Sequence, residues 1–235
     1  MLRREIKYLI SYAEYVVLSR RISGLLSRDA HSFNEDGYLI SSVYFDDRSD
    51  SSFYEKVAGI ANRKKYRLRY YNRSNDFIVM ECKNKKGDRI EKESARIDEK
   101  TFYSLAEGDF DVLIDSASPL LREVYAKNKS VGLLPRLFCE YVREAYVHPL
   151  SETRVTFDKR LKCAPARGVS IENDPGGYFV FPDDSVILEI KYNDFIPRFI
   201  SDALSTGRIP VSSSKYETSF EYLTTHFILK KGERS

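Results

Sequence analysis

The sequence predicts an α+β fold in which antiparallel strands form a barrel with helices attached to it. Segments with strand-like alternation, or with many β-branched and aromatic residues, outnumber the helical patterns. Turns rather than long crossover helices join most of these segments, which favours antiparallel pairing over a parallel sheet. Hydrophobic residues make up 42% of the 235 residues, and that share is sufficient for the core of one large domain.

Eight strands are predicted along the chain. Alternation of side chains defines these segments, and Gly87 marks a hairpin turn after the fourth of them. The segments are residues 3–9, 37–46, 62–72, 76–85, 88–97, 137–147, 153–159 and 185–192.

Helical patterns lie between and after the strands. Ser11 is the predicted N-cap of a helix that contains Val16, Leu18 and Ile22. Four further helices are predicted to begin at Asp98, at Ser118-Pro119, at Pro197 (ending near Gly207) and at Ser214 (ending near Ile228).

The cysteines and the N-terminus bear on the cellular compartment. Cys82, Cys139 and Cys163 are far apart and form no Cys-x-x-Cys pair, which argues against a disulfide framework and a zinc ribbon and indicates a reducing compartment. The N-terminus is charged where a signal peptide is apolar, and no run of about 18 apolar residues occurs. We therefore predict a cytoplasmic protein without a membrane segment. Its residues 1–235 are predicted to form a single domain, in which residues 164–177 are a loop.

Basic side chains are segregated to one face of the third predicted strand. Net charge is only +3, so an anion-binding site must arise from such local segregation. Positions two apart on a strand share a face, and a row of like charges about 7 Å apart repels itself unless anions lie between them. A solvated face is the alternative for any single strand. The basic face carries Arg63, Lys65, Arg67 and Arg69, and the opposite face carries Lys64, Tyr66, Leu68 and Tyr70.

Three other strands also have an ionic face backed by an apolar one. If the strands close into a barrel with these faces inward, the result is a positive tunnel with a few carboxylates. The helices are then expected to cover the apolar outer faces. The ionic pairs are Glu5 with Lys7, Glu81 with Lys83, and Glu189 with Lys191.

Five segments carry a more specific signal: Glu5-Ile6-Lys7-Tyr8, Ser42-Val43-Tyr44-Phe45-Asp46, residues 63–70, Glu81-Cys82-Lys83 and Leu188-Glu189-Ile190-Lys191. Together they resemble the VTC domain, the polyphosphate polymerase domain of the vacuolar transporter chaperone complex, which has many bacterial relatives. That domain belongs to the triphosphate tunnel metalloenzymes. The resemblance extends from Glu5 to about Tyr222.

The resemblance implies a closed tunnel of about eight antiparallel strands that binds triphosphate or polyphosphate. It also implies a divalent ion, Mn²⁺ or Mg²⁺, held by Glu189 with help from Glu5 or Glu81. Arg63, Lys65 and Lys191 share strand faces with these ligands and are expected to contribute to the same binding site. The phosphate ligands carried over from the family are Lys7, Arg67, Arg69, Lys83, Lys92, Arg143, Arg154 and Lys215.

The predicted activity is a metal-dependent transfer of the γ-phosphate of ATP to a polyphosphate chain. Related tunnel hydrolases begin with Glu-x-Glu-x-Lys, whereas Arg3 stands at the first Glu position here, and this favours the polymerase. Phosphoryl transfer needs positioning and charge neutralisation more than covalent chemistry, so no protein nucleophile is predicted. Lys7 or Lys215 is expected to polarise the attacked phosphorus or to steady the attacking group.

Two alternatives stay open: a tripolyphosphatase or nucleoside triphosphatase of the same fold, and a non-catalytic module that binds polyphosphate. Nucleic acid is disfavoured as a partner, because base stacking needs aromatic side chains on the basic face, and those of residues 63–70 lie on the opposite one. No phosphate-binding glycine loop and no His-Glu-x-x-His motif occurs. Cys82 is predicted to be buried, and His31, His148 and His226 are predicted to be structural or surface residues.

Overall fold

The computed structural model describes residues 4–30, 36–87, 89–212 and 214–226. Strands account for most of the regular structure within these ranges. They are β1 (Arg4–Ile10), β2 (Ser27–Arg28), β3 (Tyr38–Asp46), β4 (Asn62–Tyr71), β5 (Ser74–Lys86), β6 (Arg89–Ile97), β7 (Leu134–Val147), β8 (Arg154–Pro165), β9 (Tyr178–Phe179) and β10 (Val186–Tyr192).

The helices begin at well-formed caps. The Ser11 hydroxyl accepts from the Glu14 backbone N–H while the Glu14 carboxylate accepts from the Ser11 backbone N–H, and Ser214 and Glu217 repeat this capping box. The helices are α1 (Tyr12–Ser23), α2 (Ser51–Val57), α3 (Glu99–Ala106), α4 (Pro119–Val131), α5 (Arg198–Ala203) and α6 (Lys215–Thr225), with a 3-10 turn at Asp111–Leu113.

The chain divides into two compact units, each assembled from separate stretches of sequence. The first unit contains the described residues of Met1–Leu39, Tyr141–Leu161 and Phe181–Ser213. The second unit contains those of Ile40–Glu140, Lys162–Val180 and Ser214–Ser235. β7 and β8 contribute residues to both units.

In the first unit the strand order is β1-β10-β8-β7, and β2 pairs with the C-terminal end of β7. β1, β10 and β8 pair antiparallel. Their apolar face is covered by α1 and α5, because Leu18, Ile22 and Ile200 pack in one buried cluster with Phe157 and Leu188. The ionic face of the same strands is therefore directed away from this core.

In the second unit the strand order is β7-β3-β4-β5-β6, and β9 pairs with the end of β8. β3, β4, β5 and β6 pair antiparallel as a meander. Their apolar face packs under α3 and α4: Leu68, Tyr70 and Cys82 are buried with Phe102 and Val124. The predicted burial of Cys82 is thus confirmed.

All eight predicted strands are present, and the antiparallel sheet with attached helices confirms the predicted fold class. β8 runs on to Pro165 because Arg160, with φ 54°, interrupts its alternation without ending it. The helix α2 was not predicted, since it has only 7 residues and follows Asp50 without a side-chain cap. The short strands β2 and β9 were not predicted either.

This architecture does not test three expectations from the sequence. Closure of the strands into a tunnel, the single domain and the cytoplasmic location therefore stay predictions. His31, Arg3 and the last two residues of the predicted C-terminal helix lie outside the described residues. Among the described helices, none combines the length and the apolar character that crossing a lipid bilayer requires.

Candidate functional site

A row of three lysines crosses three neighbouring strands of the second unit. Lys65 of β4 is the cross-strand neighbour of Lys83 on β5, and Lys83 is in turn the neighbour of Lys92 on β6. Neighbouring strands are about 4.8 Å apart, and directly opposed like charges destabilise a sheet. We call Lys65, Lys83 and Lys92 the lysine row. Its alignment is typical of a surface that meets an anion.

The next row on the same face holds a carboxylate among cations. Glu81 of β5 is the cross-strand neighbour of Arg67 and is only 3% exposed. Its Oε2 accepts from Nε and Nη2 of Arg67 at 2.7 Å and lies 3.6 Å from Nη1 of Arg69. Its Oε1 accepts from Nζ of Lys92 at 2.8 Å. Three of the sequence-predicted phosphate ligands are thus held around one carboxylate.

These cations keep Glu81 ionised. Burial by itself acts to raise the pKa of Glu81, but the charges of Arg67, Arg69 and Lys92 outweigh burial and hold that pKa well below its ordinary value. The carboxylate therefore carries its negative charge at neutral pH.

Tyr44 also lies on this face and was not predicted from the sequence. Its hydroxyl oxygen is 3.1 Å from Nη1 of Arg67, and the guanidinium carbon lies 5.8 Å from the centre of its ring. Tyr44 is the cross-strand neighbour of Arg67, and it lies two residues from Ser42, the neighbour of Arg69. Alternation along residues 42–46 was the signal that could have placed Tyr44 on the basic face.

The C-terminal helix α6 packs on the basic face through Tyr216, and Phe220 of the same helix packs against Phe53 of α2. The Tyr216 ring contacts the Tyr44 ring at 5.4 Å, and its hydroxyl donates to the buried carboxylate of Asp46. Nζ of Lys65 lies 3.3 Å from the Ser214 hydroxyl and 5.0 Å from the centre of the Tyr216 ring. The expectation that the helices cover the apolar faces of the strands therefore does not extend to the Tyr216 side of α6.

This packing changes the acidity of Lys65. Burial lowers the pKa of Lys65 to about 8, with nearby Arg63 and Lys56 acting in the same direction and Glu217 and Asp46 opposing them. Lys65 is consequently only partly charged near pH 8 when no ligand is bound.

Two other predicted residues belong to the second unit. Arg63 lies on the basic face at the start of β4 and donates to the backbone carbonyl of Ile60. Lys215 is the first residue of α6, next to the capping residue Ser214. Both positions extend the positive charge around the lysine row.

The first unit carries a face of mixed charge. β1 and β10 place Glu5 opposite Lys191 and Lys7 opposite Glu189. The side chains pair along each strand: Lys7 Nζ lies 2.7 Å from Glu5 Oε1, and Lys191 Nζ lies 3.3 Å from Glu189 Oε1.

Arg143 of β7 is clamped between two carboxylates of the same unit. Its Nε and Nη2 donate to both oxygens of Asp158 at 2.6 and 2.7 Å, and Nη2 lies 3.3 Å from Glu189 Oε2.

Arg154 lies 2.5 Å from Asp29 Oδ2. The sequence interpretation missed both aspartates: Asp158 shares a strand face with Arg154, which alternation could have shown, whereas no local signal pointed to Asp29.

The ionic residues of the first unit and those of the basic face differ in their balance of positive and negative charge. In the first unit, the cations Lys7, Arg143, Arg154 and Lys191 are each paired with a carboxylate. On the basic face of the second unit, three cations share Glu81, and Asp46 and Glu217 lie near Lys65. These three carboxylates are outnumbered by Arg63, Lys65, Arg67, Arg69, Lys83 and Lys92. The surplus of positive charge is therefore on the basic face of β4, β5 and β6.

Glu189 and Thr156 are the residues that fit a divalent ion. Thr156 is the cross-strand neighbour of Glu189, is 1% exposed, and its Oγ1 has no hydrogen-bond partner among the described residues. Magnesium-type ions take oxygen ligands, commonly one or two carboxylates plus phosphate oxygens and water. No group of three or more acidic, His or Cys side chains is arranged for a metal in the described part of the chain.

Comparison with known proteins gives one family and several similar structures. A family model described as the VTC domain matches residues 2–224. The Hippeastrum protein HpAC1, described as having a dominant triphosphatase activity, covers 100% of both chains at 15% identity and a TM-score of 0.56. A candidate adenylate cyclase from Bacillus halodurans is 14% identical over 98% of this chain and 94% of its own, with a TM-score of 0.47. No curated protein matches the sequence. The likeness to HpAC1 shows that the fold is shared.

Proposed function

Because the chain belongs to the VTC domain family, we propose that it is a triphosphate tunnel enzyme of the polymerase type. In this proposal it transfers the γ-phosphate of ATP to the end of a polyphosphate chain. The cytoplasmic location and the use of ATP as phosphate donor belong to the same proposal.

The main observation in support of this proposal is that the lysine row and the adjacent arginines concentrate positive charge on one face of the sheet. Lys65, Lys83 and Lys92 are aligned across three strands, and Arg67 and Arg69 follow on β4. Such an alignment costs stability in the absence of a counter-ion, and a chain of phosphates supplies negative charges at a regular, short spacing. On β4 itself no aromatic ring is interleaved with these cations. The two rings on the same face, Tyr44 and Tyr216, pack against each other and against Arg67 and Lys65, which favours phosphates over stacked bases.

The residues present suffice for phosphoryl transfer by positioning. Arg67 and Arg69 would bind non-bridging oxygens through their planar guanidinium groups, and lysines would neutralise the remaining charge. A terminal oxygen of the polyphosphate forms the new bond to the γ-phosphorus of ATP, the bond to the β,γ-bridging oxygen breaks, and ADP leaves. Glu189 and Thr156 would hold a Mg²⁺ or Mn²⁺ ion.

Product analysis tests the proposal. The protein is incubated with ATP, tripolyphosphate and Mn²⁺, and the products are separated on a polyacrylamide gel while orthophosphate is measured. Long polyphosphate chains are expected. Orthophosphate without polymer would favour the hydrolytic alternative, the kind of activity described for HpAC1. Tripolyphosphate binding without any turnover would leave only a non-catalytic binding module.

Variants on opposite faces of β4 test which residues are responsible. Arg67→Ala and Arg69→Ala are expected to abolish turnover, and Arg67→Lys to reduce it strongly, because a lysine cannot reproduce bidentate binding. Lys64→Ala is the matched control: Lys64 lies on the same strand but pairs with Glu123 on the opposite face. Circular dichroism verifies that each variant is folded. Wild-type rates in both alanine variants would refute the assignment.

A further inference from the structure

Glu81 is the feature of the basic face that phosphate binding alone does not explain. It lies in the middle of the residues that the proposed function assigns to phosphate, and it is almost fully buried there. A negative charge at that place opposes the binding of a polyanion. Its presence therefore needs a reason other than ligand attraction.

The contacts of Glu81 resemble those of a phosphate group. Its two oxygens accept from the guanidinium of Arg67 and from the ammonium of Lys92, with Arg69 close by. The Arg67 side chain is 21% exposed, so a ligand can still reach it. Lys92 is 55% exposed on its side chain and can also turn to a ligand.

We propose that Glu81 is a positioning residue that holds Arg67, Arg69 and Lys92 in place and limits how tightly they bind the phosphate chain. This inference rests on the proposed function. A tunnel enzyme must release or advance its chain, and a full surplus of cations would retain it. Glu81 cancels one positive charge and keeps the guanidinium groups in one orientation before the substrate arrives, which lowers the ordering cost of binding.

The same contacts argue against Glu81 as a metal ligand. Both of its oxygens are engaged by cations, and a divalent ion at that place would lie against two guanidinium groups and an ammonium group. Cations also approach both oxygens of Glu189, Arg143 at Oε2 and Lys191 at Oε1, but at 3.3 Å, and its cross-strand neighbour Thr156 offers a further oxygen. The prediction that Glu81 helps to hold the metal is therefore replaced by this positioning role in our proposal.

The test measures tripolyphosphate binding by isothermal titration calorimetry in metal-free buffer containing a chelator, at low and at high ionic strength. Glu81→Gln removes the charge and keeps the shape, and we expect its dissociation constant to fall about tenfold or more at low ionic strength. Glu81→Asp keeps the charge and should remain close to wild type. The control is Glu123→Gln, because Glu123 pairs with Lys64 on the opposite face of β4.

A second variant, at Ser94, should change the affinity for tripolyphosphate in the opposite direction, and it does not require the replacement of a buried side chain. Ser94 is exposed and is the cross-strand neighbour of Glu81 on β6. Ser94→Glu adds a second carboxylate to the same row and is expected to weaken tripolyphosphate binding about tenfold at low ionic strength, while Ser94→Gln does not. High ionic strength should reduce both the gain in affinity of Glu81→Gln and the loss of affinity of Ser94→Glu.

The outcomes separate this inference from the proposed function. If the folded wild type does not bind tripolyphosphate, the proposed function and this inference fall together. If the wild type binds but Glu81→Gln binds equally or more weakly, or Ser94→Glu binds like wild type, only the role of Glu81 is refuted. A large loss of Mn²⁺ affinity in Glu81→Gln, measured by electron paramagnetic resonance, would make Glu81 a metal ligand and also overturn it.

Discussion

Lys65 should take up a proton when a phosphate chain binds to the basic face. Without ligand, burial under α6 lowers the pKa of Lys65 to about 8, so that near this pH a large fraction of the protein has an uncharged Lys65. A polyanion beside Lys83 and Lys92, the neighbours of Lys65 in the lysine row, favours the charged ammonium and raises its pKa again. Binding and protonation are therefore coupled.

The size of the effect follows from the pKa. With a pKa of about 8 in the free protein and a value near the ordinary 10.5 in the complex, binding at pH 8 takes up about half a proton per protein molecule. Uptake rises to about 0.9 proton at pH 9 and falls to about 0.1 at pH 7. Because the complex binds more protons than the free protein, affinity decreases as pH rises, by nearly tenfold per unit around pH 9.

Calorimetry in buffers of different ionisation enthalpy measures the proton uptake directly. Tripolyphosphate is titrated into the protein at pH 8 in phosphate-free buffers, and the dependence of the observed heat on buffer enthalpy gives the number of protons. The difference between the wild type and Lys65→Met isolates Lys65 from protons released or taken up by the ligand. Lys64→Met is the control, because Lys64 lies on the opposite face of β4.

Equal proton uptake in the wild type and in Lys65→Met would refute the reasoning. So would an affinity that is independent of pH between 7 and 9 in the wild type. Either result would mean that Lys65 is charged in the free protein or that the phosphate chain binds away from the lysine row.

Two further predictions concern stability. Arg136→Met should lower the free energy of unfolding by about 3–5 kcal/mol in urea titrations, because it leaves the buried carboxylate of Asp50 without the guanidinium 2.6 Å away; a loss below about 1 kcal/mol would contradict this. Ser11→Ala should remove the capping box with Glu14 and cost about 1 kcal/mol, or about 2–4 °C in Tm by differential scanning calorimetry. Ser23→Ala at the other end of α1 is its control, and an equal shift there would contradict the cap argument.

The sequence by itself determined which residues share a strand face and where most helices begin. The alternation of Arg67 and Arg69 with Tyr66 and Leu68 depends only on the period of a β-strand, which is local to the chain. The structure places Tyr66 and Leu68 in the core as this period requires. The cap at Ser11 is likewise local, since a hydroxyl and an N–H three residues apart are sufficient for it.

Only the tertiary structure decided which of these faces lie side by side and what covers them. The lysine row exists because β4, β5 and β6 pair in one register, and a shift by a single residue would send the whole set to the other face. The packing of α6 against Tyr44 and the pairing of Arg154 with Asp29 join residues that are distant in sequence. Alternation cannot reveal such contacts, because their energy depends on the assembled core and not on local periodicity.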